Sequence, residues 1–125
     1  MRIEIPYVQG ISVNHIYIRA RNRRRGRKVI KLKGAQVFQR TIASLFLPLR
    51  RQFKDEGYKR VKIWYYFPDR RRRDTHNLLK VVLDGISEGI GIDDRWFLVE
   101  EKGVWIDPKK PRIEIEVVED DKSGP

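Results

Sequence analysis

The chain has 125 residues, 40% of them hydrophobic, which suits one domain with a real core and argues against two or against global disorder. It carries 28 Lys and Arg against 17 Asp and Glu, and a net charge of +11 costs self-repulsion that a polyanionic partner, nucleic acid above all, would offset. It has no cysteine, which excludes disulfides and thiolate metal sites, and no apolar run near the roughly 20 residues of a membrane helix, so a cytoplasmic protein without membrane contact is expected.

Arg2–Tyr7 alternates Ile3, Ile5 and Tyr7 with polar residues and reads as a half-buried strand, not a leader peptide. Val13–Arg19, with Ile16 and Ile18, reads as a second extended piece. Arg19–Lys28 holds seven Arg or Lys residues. Nothing in it suits a core, so it is expected as an exposed loop that contacts phosphates without reading sequence. Val29–Lys33 resumes as a strand.

Gly34–Glu56 is helical in pattern, with Val37, Ile42, Leu45, Phe46, Leu49 and Phe53 spaced three to four apart. Pro48 should kink or restart that helix, and Gly57 should close it. Lys59–Phe67 is the clearest strand: Val61, Ile63, Tyr65 and Phe67 share one face, and Lys62, Trp64 and Tyr66 the other. Asp74 predicts an N-cap for a helix from Thr75 to about Glu88, stopped by Gly89. Arg95–Ile106 and Arg112–Glu119 read as strands joined by a Pro/Lys turn, and a frayed acidic tail follows. The expected fold is α+β: a single domain over 1–119, a mixed sheet with two helices packed on it, and a tail at 120–125.

The chemistry concentrates in Asp69–Asp94. Four consecutive arginines, Arg70, Arg71, Arg72 and Arg73, end an apolar strand and run straight into Asp74, His76 and Asn77. On the following helix Leu78, Leu79, Val82, Leu83 and Ile86 fall on one arc, while Asn77, Lys80 and Asp84 form a stripe on the opposite side. Taken alone, Lys80 and Asp84 are an ordinary i,i+4 pair. Asp93 and Asp94 follow a glycine turn, and adjacent like charges need a cation to offset them. One reading is a turn pair balanced by Arg95. The other brings Asp74 together with Asp93 or Asp94 on Mg²⁺ or Mn²⁺, because hard divalent ions prefer carboxylate oxygens and phosphodiester hydrolysis needs a positive centre.

The run Pro68-Asp-Arg-Arg-Arg-Arg-Asp-Thr-His-Asn77, then Lys80, Asp84 and Ile92-Asp93-Asp94, resembles the RusA family of Holliday-junction resolvases. Ser12-Val-Asn14-His-Ile-Tyr17 is similar to that family's Ser-x-Asn-x-x-Tyr. The resemblance implies a homodimeric, Mg²⁺-dependent crossover junction endodeoxyribonuclease that resolves four-way DNA junctions in recombination and repair, with no nucleotide cofactor. It implies catalytic roles for Asp74, Lys80, Asp93 and Asp94, with Asp74 and Asp94 as metal ligands and Asp84 in support. It implies DNA contacts at Ser12, Asn14, Arg70, Arg71, Arg72, Arg73 and Asn77. One position departs: His76 stands where the family has a second Asp. It is either a neutral metal ligand that favours Mn²⁺, or the cause of a junction-binding protein with weak or absent cleavage. His15 is expected to be a loop residue or phosphate contact.

Trp64, Tyr65, Tyr66, Trp96 and Trp105 offer rings for base stacking, but their strand pattern points to the core or a dimer interface. A basic RNA-binding module would explain the +11 charge but not the acidic set around Lys80.

Overall fold

The computed structural model describes residues 2–7, 17–22, 26–31 and 33–120, and the side chains of 17–33 lie outside what it describes. In chain order the elements are β1 (Ile3–Pro6), β2 (Tyr17–Asn22), β3 (Gly26–Lys31), α1 (Lys33–Phe46), β4 (Lys59–Phe67), α2 (Thr75–Ile90), β5 (Phe97–Ile106) and β6 (Arg112–Glu119). Four strands form a mixed sheet in the order β1-β6-β4-β5, and β2 and β3 form a separate two-stranded ribbon. The expected α+β fold with a mixed sheet and two helices is present.

β4 is the middle of the sheet. It pairs antiparallel with β6 and parallel with β5. Val61, Ile63, Tyr65 and Phe67 are buried, as their alternation predicted, together with Ile113, Ile115 and Val117 of β6 and Ile5 of β1. Each large side chain sealed this way is worth about 1.5–3 kcal/mol. Burial and the Glu101 carboxylate beside it push the Tyr65 hydroxyl well above its usual range, and that hydroxyl donates to Glu101 Oε1 at 2.7 Å. β5 and β6 do not form the simple pair that a turn between them suggested: β4 lies between them. A parallel neighbour needs a crossover, and α2 supplies it.

The expected basic loop at Arg19–Lys28 is largely a hairpin. The ladder runs from Tyr17↔Lys31 to Asn22↔Gly26. The backbone groups that face each other across the ladder pair within the ribbon, so strands form there although the arginine-rich sequence has no apolar period. Residues 13–16 and 23–25 lie outside the described residues.

α1 ends at Phe46, and Leu47–Gln52 tightens into a 3-10 turn with Pro48 at its start. Pro48 lacks the N–H that the next helical bond needs, so the restart reading holds. The inward face of α1 is Ala35, Phe38, Ile42 and Phe46, spaced by three, four and four. Val37 and Leu45, expected inside, are exposed; Val37 sits about 100° from the nearest residue of that stripe, and Leu45 lies at its margin.

α2 passes through Gly89 and ends at Gly91, whose φ of 74° is the left-handed C-cap and whose N–H donates to Ser87 O. Gly89 is not a stop. A Cβ there would lie 2.7 Å from the Ala43 carbonyl oxygen, and one at Gly85 would lie 2.8 Å from Ile42 Cβ. The two glycines let α2 press against α1. Leu78, Val81, Val82, Ile86 and Ile90 fill the interface with the sheet, while Leu79 and Leu83 are only partly buried.

The start of β4 is tied down by Lys59. Its fully buried Nζ donates to Glu56 O at 3.0 Å and Gly57 O at 2.9 Å, and Glu119 stands 3.2 Å away. At the chain's described end, Asp120 is buried; its N–H donates to Tyr58 O and its carboxylate meets Arg60 Nε at 3.4 Å. Among the described residues no helix is long and apolar enough to cross a membrane.

Candidate active site

Asp74 caps α2. Its backbone is extended and its Oδ1 accepts from His76 N at 3.0 Å and Asn77 N at 3.4 Å. The helix N-terminus favours that negative charge. Oδ2 has no partner among the described residues. The His76 ring is 88% exposed, with Nδ1 at 3.8 Å from Asp74 Oδ1. Asn77 and Asp84 are half-buried and Lys80 is exposed, so the predicted stripe does face away from the buried arc.

The four arginines divide. The Arg73 side chain is 10% exposed and that of Arg71 is 81% exposed. The Arg73 guanidinium donates to Asp69 Oδ1 at 2.8 Å, to the Asp69 and Arg71 carbonyls at 3.0 and 3.1 Å, and to the Tyr7 hydroxyl at 3.3 Å. It also lies 4.7 Å over the Phe67 ring. Asp69 Oδ1 accepts the Arg71 N–H at 2.9 Å as well. That N–H first, and the Arg73 guanidinium after it, hold the Asp69 carboxyl below the usual carboxylate range. Arg73 therefore clamps the loop that delivers Asp74, while Arg70, Arg71 and Arg72 face solvent. Sequence reasoning missed this clamp. The signal was an acid four residues before a base, right after a strand end.

Asp93 and Asp94 sit at the far end of α2. Asp93 Oδ1 accepts the Arg95 N–H at 2.9 Å and caps the 3-10 turn Asp94–Trp96. Both aspartates are exposed. α2 has 16 residues, which makes it about 24 Å long. The sheet gives a second ruler: the Asp74 loop leaves the Phe67 end of β4, while Asp93 and Asp94 enter β5 at Phe97, in register with Lys59 at the other end. One chain thus does not bring Asp74 together with Asp93 or Asp94. Among the described residues no three His, Cys, Asp or Glu side chains stand close enough to share a metal ion.

The open face of the sheet is a lattice of paired charges. Arg112 bridges Asp107 and Glu114 at 2.8 and 2.7 Å, Arg2 meets Glu114 at 3.1 Å, and Lys62 meets Glu116 at 3.6 Å. Arg2 and Arg112 cover the rings of Trp64 and Tyr66 at 3.6 and 3.7 Å, and Tyr66 stacks on Trp105. Paired and covered in this way, that face is a poor polyanion surface. The solvent-facing arginines cluster instead at the Asp74 end, beside an open depression lined by Arg70, Arg71, Thr75, Val104 and Ile106.

A family model described as Endodeoxyribonuclease RusA matches residues 16–118. The chain belongs to the RusA family. The match takes in Asp74, Asp93 and Asp94, the ribbon, and the sheet except β1 and the last residue of β6. No curated protein matches the chain. This RusA-family endodeoxyribonuclease carries Ser12 and Asn14 outside both the match and the described residues.

Proposed function

We propose that this protein resolves four-way DNA junctions as a homodimer, each metal site being built from the Asp74 half-site of one protomer and the Asp93–Asp94 half-site of its partner. The observation that carries this reading is the separation of the two half-sites along α2. A rigid helix of about 24 Å cannot be bent to close them, and RusA-family nucleases are generally metal-dependent. A two-fold dimer running head to tail would complete both sites at once, which suits paired cuts in a two-fold junction.

The donor chemistry fits a hard divalent ion once the halves combine: three carboxylates from Asp74, Asp93 and Asp94, with the His76 imidazole beside them. Bound there, Mg²⁺ or Mn²⁺ would supply Lewis-acid charge and an acidified water. The chain's own residues do the rest. Asp74 is aimed by its cap and by the Arg73 clamp. Lys80 offers an ammonium to the phosphate in the transition state, with Asp84 one turn further on supporting it. Arg70, Arg71, Arg72 and Asn77 grip the backbone, and Ser12 and Asn14 are assigned to it as well. Val104, Trp105 and Ile106 of the edge strand β5 are exposed. An uncovered apolar edge beside an incomplete site is where the second copy would dock.

A complementation assay tests this. Asp74→Asn and the Asp93→Asn/Asp94→Asn double variant are each expected to bind four-way junctions without cutting them. Mixed and allowed to exchange subunits, they should recover cleavage, because one of the two composite sites in each heterodimer is then wild type. Failure to recover, with exchange verified, rejects the composite site. Tight junction binding by the wild type without cutting in Mg²⁺ or Mn²⁺ would instead favour a binding protein disabled at His76.

A further inference from the structure

Beside the acid pair, Tyr58 and Trp96 form a corner. Their ring centroids are 5.2 Å apart and the planes meet at 64°. The Arg95 guanidinium lies 5.4 Å over the Trp96 ring, and the three residues line an open cleft. The Trp96 N–H donates to Asp93 O at 3.1 Å, which fixes the corner within one turn of Asp93 and Asp94. Trp96 packs partly against the core, so packing explains its inner edge. Packing does not explain Tyr58, which is 40% exposed and outside the core cluster. Its backbone is held by the Asp120 N–H, so the ring is presented from a fixed base.

We propose that this corner is a nucleobase-stacking subsite for an unpaired base of the DNA strand, with Arg95 moving onto an adjacent phosphate. The proposal rests on the junction-nuclease reading and adds a specificity element to it. A base lying flat on one ring meets the other ring at its edge, and a corner this open on one side accepts a single base and not a stacked pair. Aromatic faces with an arginine beside them are the usual platform for unpaired nucleotides, because every base has a π-face. An exposed guanidinium 5.4 Å from a ring is loosely held and free to exchange that contact for a phosphate. Strand exchange at a four-way junction leaves bases that are cheaper to unstack than those in a duplex. Holding one of them here would place its phosphate at the Asp93–Asp94 half-site and select junctions over linear DNA.

The test is a cycle between Tyr58→Ala and an abasic nucleotide scanned through the positions flanking the crossover. Junction affinity and cleavage rate are measured with the full-length protein in Mg²⁺. Tyr58→Ala alone is expected to weaken junction binding about tenfold, Tyr58→Phe to restore it, and duplex binding to change little. At one position the abasic junction should cost the wild type the same factor and cost Tyr58→Ala almost nothing. A 2-aminopurine placed there should be quenched by the wild type and less so by the variant. Losses that simply add at every position overturn the subsite. So does a Tyr58→Ala protein whose defect is a raised dimer dissociation constant, since the corner would then be a protein interface. If the wild type itself neither prefers nor cuts four-way junctions, the nuclease reading fails first; if it does both and only the cycle is additive, the subsite alone fails.

Discussion

The two ends of α2 carry acids for the same proposed ion and hold them in opposite ways. At the N-terminal end Asp74 is locked. Its Oδ1 caps the helix, and the loop before it is closed by Arg73 through Asp69, Tyr7 and Phe67. At the C-terminal end Asp93 and Asp94 ride on a short 3-10 turn, with one side-chain cap and an exposed aromatic corner beside it. One end is preorganised by polar contacts around the shielded Arg73 guanidinium, the other by close helix packing at Gly85 and Gly89. Such a division suits the proposed composite site: the fixed half would set the metal and phosphate geometry, and the other half would arrive with the partner and the DNA.

The largest effect separates chemistry from folding at the fixed end. Asn caps a helix about as well as Asp, so Asp74→Asn should change stability by less than about 0.5 kcal/mol while cutting cleavage about a thousandfold or more. Asp74→Ala should lose the same activity and, in addition, about 1 kcal/mol of stability. Urea melts beside junction cleavage rates check both. Equal activity for Asp74→Asn and wild type would remove Asp74 from the site.

The next pair sharpens the contrast between the ends. At the far end Gly89→Ala gains about 1 kcal/mol in helix propensity. It also drives a methyl to 2.7 Å from the Ala43 carbonyl and 2.8 Å from Phe46 Cβ. Backbone and a buried ring base cannot give way cheaply, so overpacking wins and a net loss of about 1–3 kcal/mol is expected. At the near end Arg73→Ala should cost about 2 kcal/mol, because it breaks several charge-assisted bonds that close the loop before Asp74. Arg71→Ala, exposed, should stay within about 0.5 kcal/mol and instead lower the salt dependence of DNA binding by about one counterion. An Arg73→Ala protein as stable as wild type, with a salt slope reduced like that of Arg71→Ala, would make Arg73 a DNA contact and erase the distinction.

Much of this was legible in the residues. The alternation in Lys59–Phe67 gave β4 to the residue, and Asp74 gave the helix start, because both signals are local and unopposed. The chemistry-bearing residues were legible as types and spacings. Three features were not. A hairpin rich in arginine has no apolar period, so the ribbon read as a loop. Gly89 looks like a stop unless the neighbouring helix is known to come within a carbon radius of it. The distance between Asp74 and Asp93 depends on a parallel crossover: an antiparallel β4–β5 pair would have put the two loops at one end of the sheet. Sequence spacing alone suggested convergence, and the topology keeps the two apart within one chain.

The smallest expected effect is acid sensitivity. Glu4, Asp69, Glu100 and Asp107 all have carboxyls held below their usual range. The leading causes are the Lys110 side chain, the Arg71 N–H, the Lys102 side chain and the Arg112 side chain, respectively. A carboxylate whose folded pKa is depressed contributes fully above its unfolded value, near about 4, and loses that contribution as pH falls through the folded value. Stability should therefore be flat from neutral pH down to about pH 5 and fall below about pH 4. All four groups are well solvated, so each contributes little. Asp69 differs from the other three because its partner Arg73 is shielded, and that makes it the informative one. Asp69→Asn should flatten the acid limb slightly and, at neutral pH, loosen the near half-site enough to lower cleavage while leaving junction affinity unchanged. The same substitution in the Arg73→Ala background should have no further effect on cleavage, since the clamp is already open.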